Sequence, residues 1–407
     1  MKCRHCETSL QHYFLDLGFA PPSNAYLDFE ELAKPEKYYP LRVLVCDSCW
    51  LVQTEDYTLA DELFSADYAY FSSTSRGWLE HARRYAEHSI AGLNLNENSL
   101  VVEVASNDGY LLKNYVAAGI PCLGIEPTAS TAASAEKLGI PVLREFFGET
   151  VGQSLATTGK QADLVVGNNV YAHAPDINDF TRGLKALLKP KGCITLEFPH
   201  LLQLISQVQF DTVYHEHFSY LSLYTVERIF EKAGLRVWHV ETLPTHGGSL
   251  RVYGCHSEDQ RATETSVVQV REQESAGHLR ELNTYQTFQT RADRVKDDLL
   301  AFLIEAKRDG KTVAAYGAAA KGNTLLNYAG VKPDLLPFVY DAAVAKQNKF
   351  MPGSHIPILS PVVLERHRLD YLVILPWNIA SEVKQQNAAL AELGTRFVTA
   401  VPQLEIT

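Results

Sequence analysis

The chain has 407 residues, of which 46% are hydrophobic and 21% are charged, and this composition is typical of a globular protein. Its formal net charge of −11 argues against a protein that coats nucleic acid, because such proteins usually carry a basic face. No apolar run reaches the ~18 residues needed to cross a bilayer, and the N-terminal "MKCRHCETSL" lacks the apolar core of a signal peptide. We therefore expect a soluble, cytoplasmic protein, with two or three domains at this length.

Four of the seven cysteines form two matched pairs near the N-terminus. Cys3 and Cys6 make the first Cys-x-x-Cys motif, and Cys46 and Cys49 make the second after a gap of 39 residues. In a reducing cytosol such pairs are better explained by a metal than by disulfides, although four unrelated thiols are the alternative. Four thiolates complete a tetrahedral zinc site and leave no open position, so the sequence predicts a structural zinc.

The middle of the chain alternates short apolar runs with helical stretches. The runs "SLVVEV", "PCLGIEP", "ADLVVGNN" and "GCITLEFP" each end in turn or polar residues, a rhythm that predicts a parallel sheet with crossover helices. "GLRVWHVETL" and "GGSLRVYGCH" follow and predict an antiparallel hairpin. A polar, helix-prone segment comes next, and "KTVAAYGAAAKG" then restarts the strand–turn–helix rhythm. We predict an α/β protein with a zinc-binding domain (1–60), a central Rossmann-like domain (61–257), a helical linker (258–305) and a smaller C-terminal Rossmann-like α/β domain (306–407).

The segment "LVVEVASNDGYLLKNY" predicts a strand, a polar turn and a helix, with Glu103 in the strand. Gly109 lies where the backbone is expected to approach a ligand closely. Glu126 ends the next strand, where an acidic residue can accept hydrogen bonds from both ribose hydroxyls of an adenosine-type cofactor. Asn168 and Asn169 end a third strand and could line the same crevice.

The glycine pattern of this turn separates two cofactor classes. A dehydrogenase would normally carry G-x-G-x-x-G, whereas this turn has one glycine, with Ala105 and Asn107 at positions where glycines are usual. The acidic strand and the later acidic residue fit S-adenosylmethionine better, and Tyr110 and Leu111 complete the candidate cofactor loop. A purely structural strand–turn–helix is the alternative.

Three features together resemble one known family. The cysteine pairs, "EVASNDGYLL…GIEP" and "YHEHFSYLS" are similar to those of bacterial sugar C-methyltransferases that act on nucleotide-linked deoxysugars. "DYAYFSSTS", "THGGSLR" and "GAAAKG" extend the resemblance over nearly the whole chain. It implies a zinc-binding N-terminal domain, a central class I methyltransferase domain that binds S-adenosylmethionine, and a C-terminal α/β domain that helps to hold the nucleotide sugar.

The reaction that the resemblance implies is methylation of C3 of a 4-keto-6-deoxy sugar. That carbon becomes a nucleophile only when a base removes its proton, because the charge then spreads onto the neighbouring ketone oxygen as an enolate. By the family match, His217 is the base, Glu216 a sugar-contacting or orienting carboxylate, and Tyr214 a hydroxyl donor near the enolate. His173 and Tyr68 match further active-site positions.

The residues of "YHEH" alone leave several interpretations open. The segment could be a polar helix start whose histidines bond to the backbone, or a His-x-His metal pair. On an extended backbone His215 and His217 point the same way, so alternation cannot choose between them as the base.

Four further residues are candidates for holding the substrate. Arg251 in "THGGSLR" is a candidate contact, although the segment could be an ordinary turn. Lys321 lies at a strand-to-helix turn that could bind a phosphate through backbone amides, or could simply pack a helix closely on a sheet. Lys346 and His355 are candidate diphosphate contacts. The expected partner is a nucleotide-diphosphate-linked 4-keto deoxysugar, with no nucleic acid and no membrane, and the chain is expected to be a monomer or small homo-oligomer.

Other functions compete with the methyltransferase interpretation. An NAD(P)-dependent oxidoreductase acting on a nucleotide sugar would use "GAAAKG" as its cofactor turn, with Asp341 at the next strand end as its support. A zinc-knuckle nucleic-acid methyltransferase is disfavoured by the acidic charge balance. A non-catalytic, zinc-stapled interaction protein is disfavoured by the dense polar "YHEH" segment.

Overall fold

The computed structural model describes residues 1–57, 71–366 and 368–407, and elements are numbered within these ranges. The strands are β1 His12–Ala20, β2 Tyr39–Val45, β3 Val52–Thr54, β4 Val101–Val104, β5 Cys122–Ile125, β6 Val142–Leu143, β7 Ala162–Asn168, β8 Leu188–Pro199, β9 Ser219–Tyr220, β10 Leu235–Leu243, β11 Ser249–His256, β12 Val313–Tyr316, β13 Val339–Tyr340, β14 Ile358–Leu359, β15 Tyr371–Ile374, β16 Arg396–Thr399 and β17 Glu405–Ile406. The α-helices are α1 Arg76–Gly92, α2 Leu112–Ala117, α3 Ala129–Lys137, α4 Glu149–Thr157, α5 Ile177–Leu187, α6 Leu201–Ser206, α7 Leu223–Ala233, α8 Thr265–Ala276, α9 Leu282–Gln286, α10 Phe288–Arg308, α11 Ala320–Tyr328, α12 Ala380–Gln386 and α13 Ala388–Glu392.

The central sheet has the order β10-β11-β8-β7-β4-β5-β6. The strands from β6 to β8 are parallel, and the predicted hairpin is confirmed, with β11 antiparallel to both β10 and β8. All four residues of β4 are buried, as expected for a parallel sheet covered on both faces. Strands β5 and β6 follow β4 on one side of the sheet, and the chain then crosses back so that β7 pairs with the other side of β4. The carboxyl ends of β4 and β7 therefore frame a topological switch point, where open α/β sheets bind ligands.

The C-terminal sheet has the order β14-β13-β12-β15-β16-β17 and is parallel except for β17. Its switch point lies between β12 and β15, by the same reasoning. Gly317 follows β12 with φ of +91°, and a Cβ there would clash with the ring of Pro376, which follows β15. The two strand ends are therefore closely packed at this point, and the predicted α/β fold class is confirmed in both sheets.

The N-terminal sheet is antiparallel and includes a strand from far along the chain. Its order is β1-β2-β3-β9, so β9, which lies just after "YHEH", pairs with β3 of the cysteine-bearing region. This pairing fixes the "YHEH" segment to the N-terminal domain.

The N-terminal domain packs on both of the other sheets. One hydrophobic cluster joins β1 and β2 to α10 and to the C-terminal sheet, and α10 contributes a buried stripe at helical spacing, which consists of Phe288, Ala292, Val295, Leu299 and Phe302. A second cluster joins Cys3, Cys46 and Cys49 to the core of the central sheet. Three helices occupy the stretch predicted as a linker, and the last runs on to Arg308. No helix in the described part of the chain is long and apolar enough to span a membrane.

Candidate active site

The four paired cysteines converge on one point at the edge of the N-terminal sheet. Their Sγ atoms lie within 4.8 Å of one another, and the Cys3–Cys49 and Cys6–Cys46 Sγ pairs are 3.5 Å apart. Both turns are built alike, because the residue after each second cysteine is in the left-handed region, Glu7 with φ of 64° and Trp50 with φ of 62°. Four sulfur ligands at this spacing suit a tetrahedral ion with Zn–S bonds of about 2.3 Å. The residues present therefore fit a structural zinc.

A cavity of about 360 Å³ lies where the three domains meet. One end is formed by the carboxyl ends of β4, β5 and β7. The other end is formed by the start of α11 in the C-terminal domain, and the turn that contains Tyr214 lies between them. Residues of the cysteine-bearing domain, the central sheet and the C-terminal sheet thus share one lining.

The strand-end part of the cavity contains most of the predicted cofactor residues. Ala105, Asn107, Glu126, Asn168 and Asn169 all line it, as does Tyr110. Both carboxylate oxygens of Glu126 accept backbone hydrogen bonds of 2.9 Å, from the amides of Asn107 and Thr128. These bonds fix the loop after β4 against the loop after β5. The Oδ1 atoms of Asn168 and Asn169 are buried without a partner among the described residues, so both are available to a bound ligand.

The turn from Tyr214 to His217 contains the predicted base. The amide of His217 donates to the carbonyl of Tyr214 over 3.0 Å, which makes this segment a tight turn rather than a strand or a helix start. The Nδ1–H of His217 donates to the carbonyl of Thr212 over 3.0 Å, and its Nε2 accepts from the Tyr214 hydroxyl over 2.7 Å. A carbonyl can only accept, so the proton of neutral His217 is on Nδ1 and the lone pair of Nε2 faces Tyr214.

Three histidines lie together at this part of the cavity: His173, His217 and His246. The rings of His173 and His217 meet edge to face with centroids 4.7 Å apart. Burial and the neighbouring His173 lower the pKa of His217 well below its usual range. Burial also lowers the pKa of His173 and the pKa of His246 to about 4 each. All three rings are therefore neutral at pH 7, and neutral imidazole is the form that can accept a proton.

Two lysines of the C-terminal domain and the carboxylate of Glu216 also line the cavity. The Lys321 ammonium donates to Asn378 Oδ1 over 2.7 Å, and the Lys346 ammonium donates to the carbonyl of Ala318 over 2.8 Å. Glu216 is 2% exposed and accepts from the side-chain amide of Asn24 over 2.7 Å. The N-terminal domain thus orients this carboxylate.

Comparison with known proteins identifies the family to which these three domains belong. Family models match in chain order a putative zinc binding domain over residues 3–64, a methyltransferase domain over 78–240 and a C-methyltransferase C-terminal domain over 244–402. The C-methyltransferase NovU of Streptomyces niveus is 35% identical over 402 residues, which cover 99% of this chain and 96% of NovU. The chain belongs to the C-methyltransferase family. It is an S-adenosylmethionine-dependent C-methyltransferase with a structural zinc, as the sequence predicted.

Two more distant solved structures are similar to part of the methyltransferase. The 1,6-didemethyltoxoflavin-N1-methyltransferase of Burkholderia thailandensis has 15% identity and a TM-score of 0.39, over 51% of this chain and 96% of that one. The magnesium protoporphyrin IX methyltransferase of Synechocystis, with bound S-adenosylmethionine, has 15% identity and a TM-score of 0.35, over 50% of this chain and 100% of that one. Neither bears on the substrate of this methyltransferase.

Three of the predicted cofactor residues of the methyltransferase lie behind the cavity. Glu103 is fully buried in β4, and burial raises its pKa well above the usual carboxyl range. Leu111 is a core residue. Gly109 has φ of +79°, and a Cβ there would lie 2.5 Å from Ile140 Cδ1 and 3.1 Å from Ala135 Cβ. The close approach that requires a glycine in this structure is to protein side chains.

Two of the predicted substrate residues also lie away from the cavity lining. Arg251 is 5% exposed and pairs with Glu197 over 2.6 Å and with Glu241 over 2.9 Å. His355 pairs with Glu36 over 2.9 Å and thereby joins the C-terminal domain to the N-terminal domain. Both residues therefore support the architecture around the site.

His215 and His217 are separated by the turn. His215 Nε2 lies 3.2 Å from the carbonyl of Pro40, its ring meets Tyr39, and it does not line the cavity. Tyr68, the remaining predicted catalytic residue, lies outside the described residues.

Several residues of the methyltransferase line the cavity although the sequence did not predict them as site residues. They include Asn24, Trp78, Phe146, Phe147 and His246. His246 lies inside "THGGSLR", so the sequence predicted the correct segment for the site, but with Arg251 rather than His246 as the contact residue. Trp78, Phe146 and Phe147 belong to a helix and a loop whose sequences show no motif, and only the fold brings them to the cavity.

Proposed function

We propose that this C-methyltransferase transfers a methyl group to C3 of a nucleotide-diphosphate-linked 4-keto-6-deoxy sugar, through an enolate that His217 generates. The observation that carries the proposal is the continuity of the cavity. A single space connects the strand-end cleft, the Tyr214–His217 turn and the two lysines of the C-terminal domain. The methyl donor, the sugar carbon that loses its proton and the nucleotide diphosphate can thus occupy it in that order.

The geometry of His217 supports its role as the base. The hydrogen bond to Thr212 fixes the tautomer, so the lone pair is on Nε2, the nitrogen that faces Tyr214, which also lines the cavity. His215 has its Nε2 at a backbone carbonyl and does not line the cavity. Of the two histidines of "YHEH", His217 is therefore the one we assign as the base.

The neighbouring polar groups suit a keto sugar. Tyr214 is within hydrogen-bond distance of His217 Nε2 and can donate to an oxygen of the substrate when the sugar is bound. Glu216, oriented by Asn24, can accept from a sugar hydroxyl. His173 packs edge to face against His217 and so helps to bury its ring.

The C-terminal end of the cavity suits the nucleotide diphosphate. Lys346 lines it beside the first residues of α11, whose free amides favour an anion. Each predicted domain then has its own role. The zinc-binding region 1–60 supports the site, 61–257 holds the methyl donor and the base, and 306–407 holds the nucleotide sugar, with 258–305 between them. None of the seven cysteines forms a disulfide, which is compatible with the cytoplasmic location that we propose.

Bound S-adenosylmethionine supplies a methyl group activated by its sulfonium. Asn168, Asn169 and the loop of Ala105 to Asn107 are the residues that would hold it at the strand ends. Glu126 would meet its ribose, exchanging one of its backbone hydrogen bonds for the hydroxyls.

The decisive experiment is incubation of the purified enzyme with trideuteriomethyl-labelled S-adenosylmethionine and a panel of 4-keto-6-deoxy sugars linked to thymidine, uridine or guanosine diphosphate. We expect one labelled methyl group on the sugar, and carbon NMR should place it on C3. The C4 ketone also acidifies C5, so a methyl group there would retain the enolate and overturn the C3 assignment. If no sugar of the panel is methylated, the proposal is wrong.

A second assay identifies the base. With S-adenosylhomocysteine in the cofactor site, the wild type should exchange the sugar C3 proton with deuterated water. His217→Asn should abolish this exchange, and the matched variant His215→Asn should retain it. The opposite pattern would assign the base to His215.

A further inference from the structure

An enolate needs a positive charge or strong donors at its oxygen, and the cavity offers few. Among the described residues that line the cavity, the lysines are Lys321 and Lys346, and there is no arginine. Lys346 lies 4.0 Å from the carboxylate of Asp341, which balances its charge, and over the ring of Tyr26. No carboxylate of the described residues lies within ion-pair distance of the Lys321 ammonium, which bonds to the neutral Asn378.

Lys321 is held in place from several sides. Its ammonium lies 4.7 Å from the centre of the Trp377 ring and 2.7 Å from Asn378 Oδ1, and both of these residues follow β15. Trp377 is itself fixed, because its indole N–H donates to Asp211 Oδ2 over 2.7 Å. A Cβ on Gly247 would clash with the Trp377 ring, so the hairpin loop packs against the ring directly. The position of Lys321 is therefore determined by the central domain as well as by its own domain.

The charge of Lys321 acts on two histidines that line the cavity, His217 and His246. Besides burial, which is the larger cause, the positive charge of Lys321 lowers the pKa of His217 and the pKa of His246. Asp211 is fully buried just ahead of the Tyr214–His217 turn, and its Oδ1 has no partner among the described residues. Burial lowers the pKa of Lys321, and the carboxylate of Asp211 opposes this shift and favours the ammonium form.

We propose, building on the proposed function, that Lys321 is a catalytic residue whose ammonium hydrogen-bonds to the enolate oxygen at C4, and that Trp377 and Asp211 are its positioning residues. His217 takes the C3 proton, the C–H electron pair becomes the C3–C4 double bond, and the carbonyl π pair moves onto the oxygen beside Lys321. The C3–C4 π pair then forms the bond to the methyl carbon, the pair on oxygen returns to re-form the ketone, and the S–CH₃ pair stays on sulfur. Lys321 remains protonated throughout.

The test separates stabilisation of the enolate from binding of the diphosphate. Lys321→Met keeps the length of the side chain and removes its charge, and Lys346→Met is the matched control at the other lysine. For each variant, we would measure the affinity for thymidine diphosphate and the rate of C3-proton exchange at saturating nucleotide sugar. We expect exchange in Lys321→Met to fall by about 10²–10³-fold, as for removal of an oxyanion donor, with little change in the nucleotide affinity. Lys346→Met should lose affinity for thymidine diphosphate, with little change in the exchange rate at saturating nucleotide sugar. Lys321→Arg should recover part of the exchange.

Two outcomes would overturn this assignment alone. One is an unchanged exchange rate in Lys321→Met, and the other is a loss of thymidine diphosphate affinity with full exchange at saturation, which would make Lys321 a phosphate ligand. Absence of exchange in the wild type with every 4-keto sugar would overturn the proposed function as well.

The positioning residues are tested by the pH profile of kcat. Asp211→Asn keeps an acceptor for Trp377 and removes the carboxylate that raises the pKa of Lys321. The basic limb of the kcat profile should therefore lie at lower pH in Asp211→Asn than in the wild type. If Asp211 had only a structural role, the basic limb would not move. Trp377→Phe, which keeps a ring under the ammonium and removes the indole N–H, should lower kcat with KM unchanged. An unmoved basic limb in Asp211→Asn together with wild-type kcat in Trp377→Phe would contradict the role of this pair.

Discussion

At the scale of single residues, the hydrogen bond from His217 Nδ1 to the Thr212 carbonyl decides what the site can do. It places the lone pair on Nε2, and the burial of the ring disfavours its protonated form. A base with these two properties is unprotonated in the resting enzyme over most of the physiological pH range. The tight turn from Tyr214 to His217 is what makes His217, rather than His215, the residue with this environment.

The lowered pKa of His217 predicts the acid limb of the reaction. A base works only when unprotonated, so kcat/KM falls as the pH drops through the pKa of His217 in the free enzyme. Because that pKa lies well below the ordinary 6.5, kcat/KM should stay constant from neutral pH down past 6.5 and fall only at lower pH. A kcat/KM profile measured with a thermal-unfolding control at each pH tests this. An acid limb centred at or above 6.5 would contradict it.

Tyr214 allows a second prediction at this scale. Its hydroxyl donates to His217 Nε2, so it must turn away before that nitrogen can take a carbon proton, or must pass the proton on. Tyr214→Phe removes the hydroxyl and leaves Nε2 open. We expect C3-proton exchange to fall by about 10–10²-fold, the loss of one donor, rather than to vanish. Exchange as low as in His217→Asn would show that Tyr214 carries the proton.

The sequence could predict the composition of this site but not its arrangement. "YHEH" identified Tyr214, Glu216 and His217 as the polar groups of the site, whereas alternation could not separate the two histidines, because it assumes an extended strand. The turn that separates them depends on β9 pairing with β3. This contact joins strands that lie far apart along the chain, and no local pattern encodes it.

At the scale of elements, the turn between β4 and α2 contains a glycine that the packing of the protein itself requires. A glycine is needed at position 109 because φ is +79° and because Ala135 and Ile140 close in on it. Local patterns predicted the strands and turns of the central sheet well, since parallel strands are short buried runs. They could not show that α3 and its following loop pack against Gly109.

Gly109→Ala should therefore destabilise the fold by more than the backbone cost alone. We expect a loss of about 2–3 kcal/mol in the free energy of unfolding, from the positive φ and from overpacking against Ile140 and Ala135. Gly119→Ala is the matched control, because φ is +71° there and nothing lies within 4 Å of the added Cβ. Its loss should be about 1 kcal/mol. Equal losses in urea unfolding would refute the packing explanation.

The β8–β11 pair contains a buried charge network around Glu197. Burial opposes ionisation of this carboxyl, but the His81 hydrogen bond and the charge of Arg251 outweigh it and lower its pKa to about 2. The stability that this shift contributes is present above the ordinary carboxyl value of 4.5 and is lost as the pH falls toward 2. The role of Arg251 is thus to compensate a buried carboxylate.

Arg251→Met should separate this structural role from substrate contact. It leaves Glu197 buried without its cation, so we expect the free energy of unfolding to fall by about 3–5 kcal/mol at pH 7. At temperatures where the variant stays folded, its KM for the nucleotide sugar should be unchanged. Lys346→Met is the matched comparison. We expect it to change the free energy of unfolding little and to raise the KM for the nucleotide sugar. A raised KM in Arg251→Met, with normal stability, would make Arg251 a substrate ligand.

At the scale of the whole molecule, the two α/β sheets face each other with their strand ends across one cavity. Trp377 and Lys321 follow β15 and β12, whereas Ala105 and Asn168 lie at the ends of β4 and β7. The N-terminal domain contacts both the central and the C-terminal domain and so fixes their relative position. Its sheet includes β9, and Asn24 donates a hydrogen bond to Glu216. On the C-terminal side, Tyr26 donates to the Ala318 carbonyl over 2.6 Å. Sequence patterns predicted each unit separately, but contacts such as Asp211 with Trp377 join segments 166 residues apart and follow only from the assembled fold.

This architecture predicts that the zinc site controls catalysis although its ligands lie outside the cavity. Cys46 and Cys49 flank the turn between β2 and β3, and β3 pairs with β9 directly after His217, with Thr54 donating to the His217 carbonyl over 3.2 Å. Cys46→Ser should therefore lose the metal, lower the free energy of unfolding by more than about 4 kcal/mol, and abolish C3-proton exchange. Cys122→Ser is the matched control, since Cys122 is also buried but lies outside the four-cysteine cluster, and it should keep zinc and exchange. Metal content by mass spectrometry, urea unfolding and the exchange assay check this. A zinc-free Cys46→Ser enzyme with wild-type exchange would show that the catalytic turn is held without the N-terminal domain.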